Sequence, residues 1–220
     1  MRWPELDGTG PRRLVIPVGA TEQHGPHLPL WTDTAIATEL ANRLAGQRPD
    51  FAVAPAIPVG ASGEHAAFPG TLSIGHEALR ALLVELVRSA DHFAGVVLVN
   101  GHGGNLPSLR AAVELLRYEG RAVLPWSPQG PPDDSHAGRT ETSVMLALHP
   151  DQVRADLAEP GTTTPLPDLL PTLRSGGTAA ASPNGVLGDP TTATPEQGRT
   201  VLARWTTDLT TTVDTWLATS

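Results

Sequence analysis

The sequence contains no cysteine and no lysine, and its apolar runs are short. Without cysteine there can be no disulfide, no thiolate nucleophile and no cysteine-ligated zinc, so histidine nitrogen and carboxylate oxygen must hold any metal ion. No run approaches the roughly 20 apolar residues that a membrane-spanning helix needs. The N-terminal segment lacks the apolar core of a signal peptide, and we therefore expect a cytoplasmic location.

All 15 basic residues are arginine, and the formal net charge is -8. A nucleic-acid-binding surface needs clustered basic side chains, and an anionic membrane attracts the same kind of surface. The sequence therefore disfavours both partners. A chain of 220 residues, 40% of them hydrophobic, can bury a substantial core. We expect a single domain over residues 1–220, with residues 1–12 as a loose N-terminal arm.

Short apolar segments alternate with helical patterns along the chain. Aliphatic and β-branched runs predict strands over 13–18, 51–59, 95–99 and 121–126. Apolar residues at helical spacing predict helices from Asp33 onward and over 77–93, 106–119, 140–149 and 195–217. This alternation predicts an α/β fold with three layers, αβα, around a central, mostly parallel sheet.

The segment 159–195 is rich in threonine, proline and glycine, and we interpret it as an extended excursion rather than an ordinary connection. Loops of this length are uncommon in compact domains unless they serve a function. We expect a functional or interfacial role for it.

Side chains that can bind metal concentrate in three loops, two of which directly follow predicted strands. The loop TEQHGPHLPLWTD, the loop NGHGGN and the segment HAGRTETS supply Glu22, His24, Asp33, His102, His136 and Glu141. Ligands of open α/β sheets bind at the carboxyl ends of the strands, so we expect these side chains to converge there. His24 and His102, together with the three carboxylates, suit two divalent ions: zinc or iron(II), with manganese as a third option.

A two-ion site of this kind predicts hydrolytic chemistry. A carboxylate shared between the ions, for which we choose Asp33, would hold them roughly 3.5–4 Å apart. A proton must then reach the leaving nitrogen, because an amide anion leaves poorly. We assign that transfer to His136 and expect Glu141 to act both as a ligand and in catalysis.

Four runs, in the order VGATEQHGPHLPLWTDT, GEHAAFPGTLSI, VLVNGHGGN and HAGRTETSVMLALHP, resemble the creatininase (creatinine amidohydrolase) family over about residues 13–150. The resemblance implies a metal-dependent hydrolase of amide-type C–N bonds. It also implies a homo-oligomer, such as a hexamer or another multiple of dimers. The metal ligands that it implies are Glu22, His24, Asp33 and His102, with Asp33 shared between two ions.

The sequence departs from the family pattern in two places. Creatininase proper has a metal-binding Glu two residues after the His of its NGH motif, where this chain has Gly104. Relatives with NGHGGN imply that the missing carboxylate comes from Glu141, and creatinine is a less expected substrate. Arg139 stands where many relatives carry Glu; it could pair with a substrate carboxylate or be an ordinary surface residue.

Within the family, HAGRTETSVML and residues 164–198 are similar to the creatininase-like peptidases of mycofactocin biosynthesis. This resemblance implies cleavage of a modified precursor peptide, with release of its C-terminal Val–Tyr-derived unit. One alternative is the same chemistry on a small cyclic amide or a formamide, as in a formamidopyrimidine deformylase. Another is a non-catalytic metal-binding scaffold. A dinucleotide-binding loop is excluded because position 106, where the pattern needs its third glycine, is Leu106.

Several further residues have a less defined role. Trp31, Gly103 and Arg139 are candidates for substrate contact, and core packing is an equal interpretation of Trp31. His27 is interpreted as a residue that structures the loop around the site. Glu64 and His65, which precede the FPGT run, are interpreted as holding a loop or contacting substrate or another subunit.

Overall fold

The computed structural model describes residues 12–219, so the predicted arm lies outside the described residues except for Arg12. Four parallel strands form one sheet: β1 (Arg13–Val18), β2 (Phe51–Val53), β3 (Val96–Asn100) and β4 (Val123–Trp126). Their order across the sheet is β2-β1-β3-β4. Val18 pairs with Asn100, so the two central strands end at the same level. The predicted α/β class with a parallel sheet is confirmed.

Strand β2 is shorter than the predicted run 51–59. Pro55 and Pro58 have no N–H group to donate to a β-ladder, and proline is therefore confined to strand ends and edges. Only Ile57 returns to the sheet, where its N–H donates to the carbonyl of Pro17 at 2.9 Å. The chain is thereby free to leave the sheet and form the loop that carries the GEHAAFPGT run.

Helices cover both faces of the sheet: α1 (Thr32–Gln47), α2 (Gly75–Ser89), α3 (Leu106–Tyr118), α4 (Arg139–Leu148) and α6 (Pro195–Thr219). Helix α5 (Leu166–Ala181) packs instead on the turn Gly63–His65. Side chains alternate between the two faces along each strand. Val15 and Val97 pack with apolar residues of α1, α4 and α6. On the opposite face, Ile16 and Leu98 pack with α2 and α3. The predicted three-layer αβα arrangement is confirmed.

The segment 159–195 differs from the extended excursion expected from its composition, because helix α5 occupies its middle. Proline near a helix start is compatible with helical geometry, and the second residue of α5 is Pro167. Gly177, at φ +69°, breaks the regular helix near its end. A Cβ at this position would lie 2.6 Å from the carbonyl oxygen of Glu64. Helix α5 therefore packs closely on the turn Gly63–His65.

Within residues 12–219, none of the helices combines the length and apolar character needed to span a bilayer.

Candidate metal centre

Every residue that the sequence analysis proposed as a metal ligand or catalytic group lies in one cluster at the carboxyl ends of β1 and β3. The loop after β1, the first turn of α1, the loop after β3 and the start of α4 supply the side chains. Glu22 and His24 are fully buried, and Asp33 is 2% exposed. Buried charges are costly unless they are paired or bind a metal. The cluster is therefore a candidate metal centre rather than part of the apolar core.

Asp33 stands between two histidines. One carboxylate oxygen, Oδ1, lies 3.1 Å from His24 Nε2, and the other, Oδ2, lies 3.4 Å from His102 Nδ1. A carboxylate that presents its two oxygens to different imidazoles has the arrangement that a ligand shared by two ions requires.

The donor atoms fall into compact groups that could each hold an ion. Within each group these atoms lie within 4.8 Å of one another; the groups are Glu22–Asp33–His102, His24–His136–Glu141 and Glu22–His65–His136. The first two groups share no residue, and Asp33 of the first contacts His24 of the second. The donor atoms could therefore hold two neighbouring ions, one in each of these two groups.

Several buried carboxylate oxygens have no hydrogen-bond partner among residues 12–219: Glu22 Oε1, Glu22 Oε2 and Asp33 Oδ2. Imidazole nitrogens lie close to them, and His102 Nε2 is 3.1 Å from Glu22 Oε2. An unsatisfied buried carboxylate is strongly destabilising, and native structures rarely contain one without an ion or water to explain it. Divalent cations fit these unsatisfied oxygens and the His/carboxylate donor set.

The electrostatics of the centre favour cations. Burial lowers the pKa of His24, but the charges of Asp33 and Glu141 outweigh burial and raise that pKa to about 10. Burial raises the pKa of Glu141 to about 7, against the opposing charge of His24. Ligand groups must lose such protons when a metal binds. Protons on these groups therefore compete with metal ions for the same donor atoms.

A strained turn brings His136 and Glu141 together. Ala137 is fully buried and has φ +53°, a left-handed conformation that is uncommon for a residue with a Cβ. Its N–H donates to Glu141 Oε2 at 2.6 Å. The turn places Glu141 Oε2 3.9 Å from His24 Nε2 and the His136 ring centroid 4.3 Å from that of His24. Backbone strain of this kind is characteristic of functional sites.

Gln23 fixes the proton positions of two histidines, and sequence reasoning missed it. Its Oε1 accepts from the N–H of Gly25 at 2.8 Å, and its Nε2 donates to the carbonyl of Gly185 at 3.0 Å. These two bonds define which end of the amide is the donor. Two ring nitrogens lie near the second hydrogen on Nε2: His65 Nδ1 at 2.9 Å and His136 Nε2 at 3.0 Å. Because His136 Nε2 itself donates to the backbone carbonyl of Gln23, the second hydrogen points to His65 Nδ1. His65 consequently carries its own proton on Nε2, 3.3 Å from Glu22 Oε1.

The same residue orients His136. His136 Nε2 is 2.8 Å from the carbonyl oxygen of Gln23, so this nitrogen carries the hydrogen and donates it. The lone pair is then on Nδ1, which lies 3.7 Å from Glu22 Oε1, inside the cluster. Burial and the charges of His24 and His65 lower the pKa of His136 well below its ordinary value. His136 is thus a neutral imidazole with its accepting nitrogen in the centre.

We predict that Gln23→Met, which keeps the side-chain length but removes the amide contacts to Gly25, Gly185 and His65, lowers hydrolytic turnover about 10- to 100-fold, the usual effect of losing a group that orients a site histidine. Gly185→Ala should act in the same direction, because a Cβ there would lie 1.9 Å from Gln23 Oε1. The measurement is turnover at matched metal content, and Gln129→Met, on an exposed loop, is the control. Equal turnover in wild type and both variants would show that the amide orients nothing of consequence.

His65 and Glu64 also belong to the centre, although the sequence analysis gave them only a loop, substrate or subunit role. The His65 ring centroid lies 4.5 Å from that of His136, and Glu64 Oε1 lies 3.4 Å from His102 Nε2. Both follow β2, the neighbour of β1, so the rule that sites form at the carboxyl ends of parallel strands could have identified them. The weak strand signal caused by the prolines concealed that relation.

His27 lies behind the ligands rather than among them. Its Nε2 is 2.8 Å from Thr142 Oγ1, and burial together with the charge of His24 lowers its pKa to about 4. This position agrees with the predicted role in structuring the loop.

The three candidates for substrate contact lie at the periphery. Trp31 is 37% exposed, and its ring packs edge-on against His149 at 5.2 Å between centroids. Gly103 is exposed in the turn after His102, and a Cβ there would meet nothing within 4 Å. Arg139 is exposed at the first residue of α4. Substrate contact by these residues remains a prediction.

The amino-acid sequence is similar to those of several known proteins. The family model described as "Creatininase: Creatinine amidohydrolase" matches residues 1–213. The mycofactocin precursor peptide peptidase of Mycolicibacterium smegmatis is 54% identical over 197 residues, covering 86% of this chain and 79% of that protein. The creatinine amidohydrolase of Pseudomonas putida is 31% identical, covering 92% of this chain and 90% of its own length.

Solved structures support the same relationship. A structure described as "Creatininase Mn" superposes with a TM-score of 0.79 at 28% identity, covering 97% of this chain and 95% of that one. A mutant creatininase described as Zn-Zn type gives the same values. The chain is thus similar over almost its whole length to proteins with metal in a common fold.

Proposed function

The chain belongs to the creatininase family, and from this we propose that it is a metal-dependent peptidase acting on a modified precursor peptide of the mycofactocin type. It is a hydrolase of amide bonds. The observation that carries the substrate proposal is the identity of 51–54% to four relatives named mycofactocin precursor peptide peptidase, over 86–97% of this chain. We propose release of the C-terminal Val–Tyr-derived unit as the reaction.

The donor set supports a division of ligands between two ions. We assign Glu22, Asp33 and His102 to one ion and His24, Asp33 and Glu141 to the other. When bound, two such ions acidify water and polarise an amide carbonyl. Zinc and iron(II) are the metals we propose first, with manganese as the third, since His/carboxylate sites accept all three.

His136 is assigned the proton transfers. Its Nδ1 faces the centre without a hydrogen, while Nε2–H is held by the carbonyl of Gln23. A neutral imidazole so held can take a proton from the attacking water and deliver it to the leaving amine nitrogen, which must be protonated to depart. Beside its role as a ligand, Glu141 is assigned a second part in catalysis.

A small-amide substrate is the second candidate, supported by the 31% identity to the creatinine amidohydrolase of Pseudomonas putida and the 28% identity to a formylamino-pyrimidine deformylase of Methanobrevibacter ruminantium. These identities are much lower than those to the peptidases. For the assembly we propose a homo-oligomer, such as a hexamer, on the basis of the family resemblance.

The test is direct hydrolysis. Metal-loaded protein is incubated with the modified precursor peptide, the unmodified peptide, creatinine and a formylamino-pyrimidine, and the products are identified by mass spectrometry. We expect release of the C-terminal two-residue unit from the modified peptide alone. Hydrolysis of creatinine or the formamide without peptide cleavage would favour the small-amide function, and inactivity on all four with both ions bound would favour a scaffold.

A further inference from the structure

Gly104 lies at the point where the family's NGH motif departs from creatininase proper, and its side-chain space is already occupied. A Cβ at this position would lie 2.2 Å from Glu64 Oε1, 2.3 Å from His102 Nε2 and 2.6 Å from the carbonyl oxygen of Ala61. These distances are far inside van der Waals contact. The carboxylate of Glu64 therefore fills the space that a side chain at position 104 would need.

Glu64 and Glu22 approach the same imidazole. Glu64 Oε1 is 3.4 Å and Glu22 Oε2 is 3.1 Å from His102 Nε2. The carboxylate of Glu64 is thus directed at a histidine assigned to the first proposed ion.

The backbone of Glu64 is fixed from two sides. Gly177 of helix α5 approaches the Glu64 carbonyl so closely that any side chain there would collide with it. On the other side, the N–H of Ala61 donates to Asn105 Oδ1 at 2.9 Å, which ties the start of this loop to the NGHGGN segment. A loop held at both ends presents its carboxylate in one place. This also gives the unexpected helix α5 a function, since it supports the turn that carries Glu64.

We propose that Glu64 is a further metal-binding carboxylate of this protein, serving the ion of the Glu22–Asp33–His102 group, and that Gly104 is glycine to admit it. This inference rests on the two-ion centre proposed above. It departs from the expectation that Glu141 replaces the carboxylate missing at position 104. Glu141 lies on the other side of the centre, 3.9 Å from His24 Nε2. The first ion then has two carboxylates of its own, Glu22 and Glu64, and the second has Glu141, in addition to the shared Asp33.

Metal binding tests the assignment independently of activity. Glu64→Gln keeps the shape of the side chain and removes its charge. We expect one of the two zinc ions to bind about 10- to 100-fold more weakly than in wild type, and the other to be unaffected. Zinc stoichiometry after dialysis against graded chelator gives this result. Glu77→Gln, an exposed residue in the first turn of α2, is the matched control.

Cobalt(II) absorption provides the second readout, because replacing a carboxylate ligand changes the visible spectrum of the ion it binds. Glu64→Asp, which retains the charge, should recover part of the zinc affinity and tests the case in which Glu64→Gln fails to fold. Wild-type affinity and an unchanged cobalt spectrum in Glu64→Gln would overturn the assignment, whether or not turnover fell. Wild-type protein that binds two ions but hydrolyses no test substrate would instead count against the proposed function alone.

Discussion

Replacing Asp33 with alanine is expected to remove both metal ions from the purified protein and to lower amide hydrolysis at least about 10⁴-fold, because metal-assisted catalysis supplies several kcal/mol and each 1.4 kcal/mol is a factor of ten. The reason is geometric: the two carboxylate oxygens of Asp33 face His24 and His102 separately, at 3.1 and 3.4 Å. Within residues 12–219, no other carboxylate lies within 4.0 Å of both of these imidazoles.

Metal content by elemental analysis and turnover on the cleaved substrate check this prediction together. Asp151→Ala, at an exposed position after α4, controls for the loss of a carboxylate as such. Asp33→Asn, which preserves the volume of a residue only 2% exposed, separates loss of charge from loss of packing. A variant that kept two ions and near-normal turnover would remove Asp33 from the position shared by the ions.

Loss of the shared ligand and loss of Glu64 should be distinguishable. Asp33 contacts both halves of the centre, whereas the only histidine in residues 12–219 within 4.0 Å of the Glu64 carboxylate is His102. The first substitution is therefore expected to empty the whole centre, and the second to weaken one ion. The number of ions affected, rather than the size of the effect, shows which ion a side chain binds.

The sequence was sufficient to predict the central part of the fold. Strands β1 and β3 are continuous apolar runs that alternate between two buried faces, and such runs carry a strong signal. Strand β2 was predicted too long because Pro55 and Pro58 stand in an otherwise apolar run. Helix α5 was missed because its segment is rich in threonine, proline and glycine, and because packing on the turn Gly63–His65 stabilises it, a tertiary contact that no local pattern contains.

The same distinction applies to the candidate site: some of its residues could be predicted from the sequence, and others could not. Glu22, Asp33 and His102 could be found because they belong to motifs next to predicted strand ends. Gln23 could not, because its importance comes from contacts with His65 and His136, which are distant in sequence. A residue that orients others has no distinctive chemistry of its own, and only the folded chain reveals which groups it connects.

The contacts of Gln23 also decide which nitrogen of His136 can exchange a proton. Nε2 is committed to the Gln23 carbonyl at 2.8 Å, so only Nδ1 is available to substrate and water. His136 lies within reach of two of the three donor groups, and a ligand role is therefore its main alternative. A single substitution separates the two roles, since a ligand is needed to hold metal and a proton carrier is not.

We accordingly predict that His136→Ala retains both ions and loses turnover by ~10²–10⁴, the usual contribution of a general acid–base group. The donors assigned to the ions, including Glu22, Asp33 and Glu141, are untouched by this change. Turnover, metal content and the cobalt spectrum are measured on the same preparation, with His92→Ala, at an exposed position after α2, as the control. Added imidazole should restore part of the rate, because it can enter the space left by the ring. If an ion were lost instead and imidazole restored metal binding along with turnover, His136 would be a ligand, and the proton transfer would have to pass to Glu141.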